Sequence, residues 1–209
     1  MINFFIIIFI VTLLYTAKNE IIRQYIFILG VQGILLFLIA VLELNQIEAG
    51  QLTLILTETL IFKGIFVPVF LSRLVKRNQL KRNYKGLLPG NASILVGITI
   101  VILSFSMAHA LHDEHLEIKY FAAAISAMGI GFYVAVNHKD IISHLIAFLI
   151  IENGIFLLSL ALGSEMPMFV NAAILLDIFT TVLIMGIFFG RIREYFDDAH
   201  TDKLSKLKD

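Results

Sequence analysis

The chain has 209 residues, 59% of them hydrophobic, and a mean hydropathy of +0.91. A soluble domain carries about 45–50% apolar residues, so an ordinary soluble fold is excluded. Sixteen basic residues balance sixteen acidic ones, which removes any bulk attraction to nucleic acid or acidic partners. With no cysteine the chain has no thiolate for a metal or an iron–sulfur cluster, so any linked redox chemistry belongs to another subunit.

Crossing a hydrocarbon core of about 30 Å takes roughly 20 mostly apolar residues as helix. Seven segments qualify, and they predict an all-α membrane protein of seven transmembrane helices. Segment 1–17 lacks a basic leader and a small-x-small cleavage site, so it is expected to be a retained first helix at the short end of the range. Segment 24–44 carries Gln32 near its centre. Segment 52–72 carries Glu58 and Lys63, five apart and so about 140° away from each other on a regular helix. Pro68 cannot donate to the carbonyl of Gly64, which predicts a softened helix one turn past Lys63. Thr53, Thr57 and Thr59 bring hydroxyls near Glu58.

A basic run from Arg73 to Lys85 follows, best taken as a topology determinant and less readily as a headgroup or partner patch. Segment 90–110 is the fourth span. Beyond it His109, His112 and His115 stand at i, i+3, i+6, but nothing except spacing supports metal ligation. Segment 120–136 contains Gly129 and Gly131, expected to serve helix packing. Asn137–Asp140 is a tight turn into segment 141–162, where Glu152, Asn153 and Gly154 form a polar notch. His144, eight residues earlier, is placed on the same face as Glu152, as a relay toward the inner side. Segment 168–190 carries Asp177, and a charged tail of mixed sign closes the chain.

Counting Lys and Arg in alternate loops puts fourteen on one side and only Lys119 on the other, with Lys63 inside a helix. Basic loops stay inside, so the N-terminus is expected outside and the C-terminus in the cytoplasm. Tyr15–Asn19 with Ile21-Ile22 matches Tyr133–Asn137 with Ile141-Ile142. In that register Gln32 falls opposite Glu152 and, with a one-residue slip in the outer loop, Glu58 falls opposite Asp177. The expected organisation is a three-helix unit 1–72, a connecting stretch 73–119 with helix 4, a parallel copy 120–193, and the tail 194–209.

Glu58, Lys63, Glu152 and Asp177 are the intramembrane ionisable groups. A charge at the bilayer centre costs about 2.5–3.5 kcal/mol on insertion scales, and such groups usually mark an ion or proton path. A carboxyl balanced between desolvation and a nearby cation can load and release a proton. Glu152 is the strongest single candidate, followed by Asp177, Lys63, Glu58 and His144, with Asn153, Gln32 and Pro68 in support.

The run from Asn137 through Glu152-Asn153-Gly154, with Asp177 and Arg191 beyond it, resembles the K subunit of respiratory complex I. It is also similar to the C subunit of multi-subunit sodium/proton antiporters. Over nearly the whole chain, including Lys63, Pro68 and the basic loop, the sequence resembles hydrogenase-4 component E. That family comprises membrane subunits of group 4 energy-converting [NiFe] hydrogenases such as formate hydrogenlyase. The resemblance implies a non-catalytic subunit without cofactors of its own, in a bacterial or archaeal cytoplasmic membrane. Its partners would be antiporter-like membrane subunits and, indirectly, soluble [NiFe] hydrogenase and iron–sulfur subunits. It also implies two buried carboxylates in proton translocation. Asp177 matches the second in place; the first falls near Leu149, one turn before Glu152, while Gln32 cannot titrate. A cation/proton antiporter subunit and a purely structural adaptor are the alternatives.

Overall fold

A computed structural model of the protein describes residues 1–19, 21–43, 53, 57–77, 86–111, 117–161 and 186. Among the described residues there are six helices and no strand. They are α1 (Ile2–Lys18), α2 (Ile22–Glu43), α3, α4 (Gly90–Leu111), α5 (Ile118–Asn137) and α6 (Ile141–Ala161). α3 winds as a π-helix over Thr57–Phe66 and as an α-helix over Val67–Arg77. Four of these, α2, α4, α5 and α6, are long and apolar enough to cross a membrane, and α1 is a shorter apolar helix. Apart from residue 186, the expected seventh segment, 168–190, lies outside the described residues, as do the tail and most of the basic loop.

Apart from α3, the helices are largely apolar all round, so they bury one side and present large apolar side chains on the other. Phe4, Ile7, Phe27, Ile102 and Val136 are 61–74% exposed. A surface of that kind is a liability in water and ordinary in hydrocarbon. The interior holds the polar groups instead: Gln32, Lys63, Glu152 and Asn153 are all buried.

Packing follows the small residues. α5 lays Ala123, Ala124, Ala127 and Gly131 against α6, its most extensive neighbour. A Cβ at Gly131 would stand 2.5 Å from the Ile151 side chain and 2.9 Å from the Ala147 carbonyl, so only glycine permits this approach. The turn between them is short because Asp140 caps α6, its Oδ2 accepting from the Ser143 amide at 2.8 Å. α1 packs on α2, α4 and α5, while α2 lies between α3 and α6. α4 is peripheral and buries mainly the small residues Ser93, Gly97, Ser104 and Ala108.

The winding of α3 changes at Pro68, the second residue of its α-helical part. The proline has no N–H for the Gly64 carbonyl, and a residue in the first helical turn needs none. The softening expected past Lys63 is therefore a π-helical stretch that contains Lys63 itself. Its i→i+5 bonding also brings backbone positions 58 and 63 one turn apart on one side, unlike the regular helix assumed from the sequence.

Candidate functional site

The site is built at the mid-depth of three helices. Gln32 lies ten residues into α2, about 15 Å along it, and Glu152 lies roughly 16 Å along α6. Each distance is about half a hydrocarbon core. α3 contributes Lys63, brought close to α2 because Gly33 has no side chain. A Cβ at Gly33 would stand 2.6 Å from the Gly64 nitrogen and from the Lys63 carbonyl carbon.

At this level the Lys63 Nζ meets the Glu152 Oε1 at 3.0 Å, with both side chains less than a tenth exposed. The same ammonium lies 5.2 Å from the centroid of the Phe156 ring, one turn past Glu152 on α6, within cation–π range. Among the described residues the backbones of α3 and α6 hardly meet, so the long lysine side chain makes the link. Next to Glu152, the Asn153 Nδ2 donates to Gln32 Oε1 at 3.2 Å. The Gln32 Nε2 donates in turn to the Thr12 hydroxyl at 3.2 Å, and that hydroxyl donates to the Phe9 carbonyl at 2.6 Å. A polar thread thus runs from α6 through α2 to α1, with the ion pair at one end.

A space of about 10 Å³ lies beside the pair, lined by Leu29, Lys63, Val67, Leu149, Glu152 and Asn153. That is the lower limit for one water molecule, and the polar groups at its edge could hold one. Leu149, the position one turn before Glu152, borders the same space. A carboxyl from either position would reach it. Chemically, the arrangement among the described residues is a buried charge pair with room for a single proton-carrying molecule beside it.

Several sequence expectations are sorted by this geometry. Lys63, Glu152, Asn153 and Gln32 come together, and among the described residues Lys63 pairs across to the C-terminal half. Pro68 sits at the change of winding. His144 does not join them: it is exposed, and its Nδ1 lies 2.8 Å from the Asp140 carbonyl. Eight residues turn a helix about 80° beyond two full turns, which rotates His144 off the face of Glu152. Asp177, Arg191, His112 and His115 lie outside the described residues, as does the side chain of Glu58. His109 is exposed at the end of α4. The Thr57 hydroxyl back-bonds to the Thr53 carbonyl at 2.7 Å, while Thr59 is buried.

Other contacts had little signal in the sequence. Thr12 ends the polar thread, although as one of few polar residues in α1 it could have been flagged. Tyr120, fully buried, donates to Glu43 Oε2 at 2.6 Å and ties the ends of α5 and α2 together. At the opposite end the Tyr25 hydroxyl donates to the Asn19 carbonyl at 2.6 Å, with the His138 ring edge-on at 6.0 Å. Asn137 accepts the Leu87 amide at its carbonyl and the Leu88 amide at its side chain, 2.8 and 2.9 Å. The Asn137–Asp140 turn therefore also anchors the start of α4.

Comparison with known proteins adds one relative. Over 153 residues the chain is 26% identical to a Mycobacterium tuberculosis protein named as uncharacterized protein Rv0085, covering 72% of this chain and 70% of that one. No protein-family profile matches the chain. No solved structure matches it.

Proposed function

We propose that the chain is a multi-pass subunit of the cytoplasmic membrane, with seven spans and its N-terminus outside, in a hydrogenase-4 or complex I-like assembly. In this reading it has no catalytic centre and contributes buried ionisable groups to proton translocation. The observation that carries it is the Lys63–Glu152 pair, 3.0 Å apart at mid-depth and beside a space for one water. Desolvating two ions costs several kcal/mol each, about what their attraction returns, so stability gives little reason to keep such a pair. Ionisable groups at this depth are usually kept for ion or proton movement.

The chemistry would run through the making and breaking of the pair. A proton delivered to Glu152 neutralises the carboxylate and releases the hold on Lys63. The ammonium keeps its contact with Phe156 and sits on π-wound backbone, a geometry common at functional sites. Loss of the proton re-forms the pair. Asp177 and Glu58 are the further members of the path by resemblance. Leu149 bordering the same space as Glu152 supports carrying over the family's first carboxylate despite its one-turn shift.

The test is Glu152→Gln in the assembled complex. Redox-linked proton movement should be abolished with assembly intact, and unchanged pumping would sink the proposal. Co-purification with [NiFe] and iron–sulfur subunits would separate this function from that of an antiporter subunit, which brings only membrane partners. The structural-adaptor reading draws on the pair being satisfied within one chain. It expects the double amide substitution of Glu152 and Asp177 to affect assembly more than transport.

A further inference from the structure

A second feature lies on the outer side of the α2–α3 contact. A groove of about 490 Å³ runs between the two helices, with an apolar floor and wall including Phe27, Gly30, Ile34, Gly64 and Pro68. One end is different in kind: Arg23 from α2 and Arg73 and Lys76 from α3 converge there with Ser72. Arg23, Arg73 and Lys76 are exposed, and no acidic residue is among the described residues that line the groove.

The dimensions select the occupant. From Arg23 to Ile34 is eleven residues of α2, about 16 Å, and from Gly64 to Lys76 is twelve residues of α3, about 18 Å. Those lengths match half of a hydrocarbon core of about 30 Å, which is one leaflet. A partner transmembrane helix would need apolar groove over the full thickness, and would gain nothing from three cations closing the slot halfway. One lipid molecule fits both facts: an acyl chain lies along the apolar part while the headgroup meets the cations at the interface.

We infer that the α2–α3 groove is a binding site for a single anionic phospholipid of the inner leaflet, held at its phosphate by Arg23, Arg73, Lys76 and the Ser72 hydroxyl. The inference rests on the membrane reading and orientation given above, and not on any role in proton movement. Arginine and lysine at headgroup level attract anionic lipid, and a basic pocket between helices on that side adds a defined geometry. Gly30, Gly64 and Pro68 are also where α2 and α3 touch, directly behind Lys63. A lipid seated there would brace the helix that carries the ion pair.

The experiment uses the full chain, extracted from washed membranes in an uncharged detergent. Native mass spectrometry then counts the phospholipid retained after exposure to phosphatidylglycerol or phosphatidylcholine. One phosphatidylglycerol per chain is expected, with phosphatidylcholine retained far less. Each headgroup-level cation contributes roughly fivefold, so replacing Arg23, Arg73 and Lys76 together by Gln should lower retention about a hundredfold. Lys139→Gln, which removes an exposed cation from another loop, should leave it unchanged. Equal retention of the two lipids, or an equal loss on Lys139→Gln, overturns the site. Displacement by inorganic phosphate at the lipid's own concentration overturns it too, by making it a site for free phosphate. Failure of the membrane reading itself is seen separately, as absence of the chain from the washed membranes, and far-UV circular dichroism reports whether each variant keeps its helices.

Discussion

Removing Lys63 alone, removing Glu152 alone, and removing both should give a strongly non-additive set of stabilities. At 3.0 Å and an effective dielectric of about 20 the attraction between the two charges is about 5.5 kcal/mol. Taking either ion out of water cancels most of that gain, so the net worth of the pair against apolar side chains is near zero. Breaking it from one side is a different matter, because the ion that remains loses its 3.0 Å counter-charge in the interior. Lys63→Met and Glu152→Leu should each lower stability by about 3–5 kcal/mol, while the double variant should stand near the native protein or above it. The difference is a coupling energy of several kcal/mol, far beyond the roughly 0.6 kcal/mol typical of hydrogen bonds between membrane helices. Reversible unfolding in mixed micelles, followed by helical circular dichroism, gives the four stabilities needed. Additive losses in the double variant would refute the pairing. The double variant has a second use: folded but without translocation, it would separate the proton role from the structural one.

Two further substitutions probe how the pair is held. Gly33→Ala would set a methyl 2.6 Å from the backbone of Lys63 and Gly64, forcing α3 away from α2 at a cost of about 1–3 kcal/mol. The coupling in the Lys63/Glu152 cycle should shrink in that background, which a simple packing defect elsewhere would not cause. Tyr120→Phe removes the 2.6 Å bond to Glu43 and should cost about 1.5–3 kcal/mol in the same unfolding assay, with the ion-pair coupling unchanged.

The extent of the four long apolar helices was legible in the sequence because hydropathy summed over about 20 residues is a strong signal. Segment 90–110 became Gly90–Leu111, and 120–136 became Ile118–Asn137. The polar positions at mid-depth were legible for the same reason: Gln32, Lys63, Glu152 and Asn153 stand out against apolar neighbours. Their pairing was not. Lys63 was grouped with Glu58 in its own helix, and the partner it has among the described residues lies 89 residues away on α6. That partner is set by α2 being thin at Gly33, a tertiary fact with no periodicity to betray it. His144 failed on rotation, since a helix eight residues long does not return to its starting face. The groove with its basic end needed Arg23 and Arg73 brought together from two helices, while the sequence offered only a run of charge.

The remaining question is why the N-terminal half carries Gln32 where the proposed duplication aligns it with Glu152. If the two halves are parallel copies, α2 and α6 are counterparts, and their central residues would face each other at one depth. In the structure Gln32 meets Asn153, the immediate neighbour of Glu152. A carboxylate at both positions would bring like charges together in a dry interior, where each disfavours the other's ionisation. An amide avoids that and can also both accept from Asn153 and donate to Thr12, which an ionised carboxylate cannot do. Gln32 thus leaves Glu152 as the acid that answers to Lys63 and fixes the side chain next to it. Gln32→Leu should strand the buried Asn153 amide at a cost of about 1–3 kcal/mol. It should also loosen the position of Glu152, so that the Lys63/Glu152 coupling falls together with stability. A loss of stability with that coupling intact would mean that the thread from Thr12 to Asn153 holds helices together and nothing more.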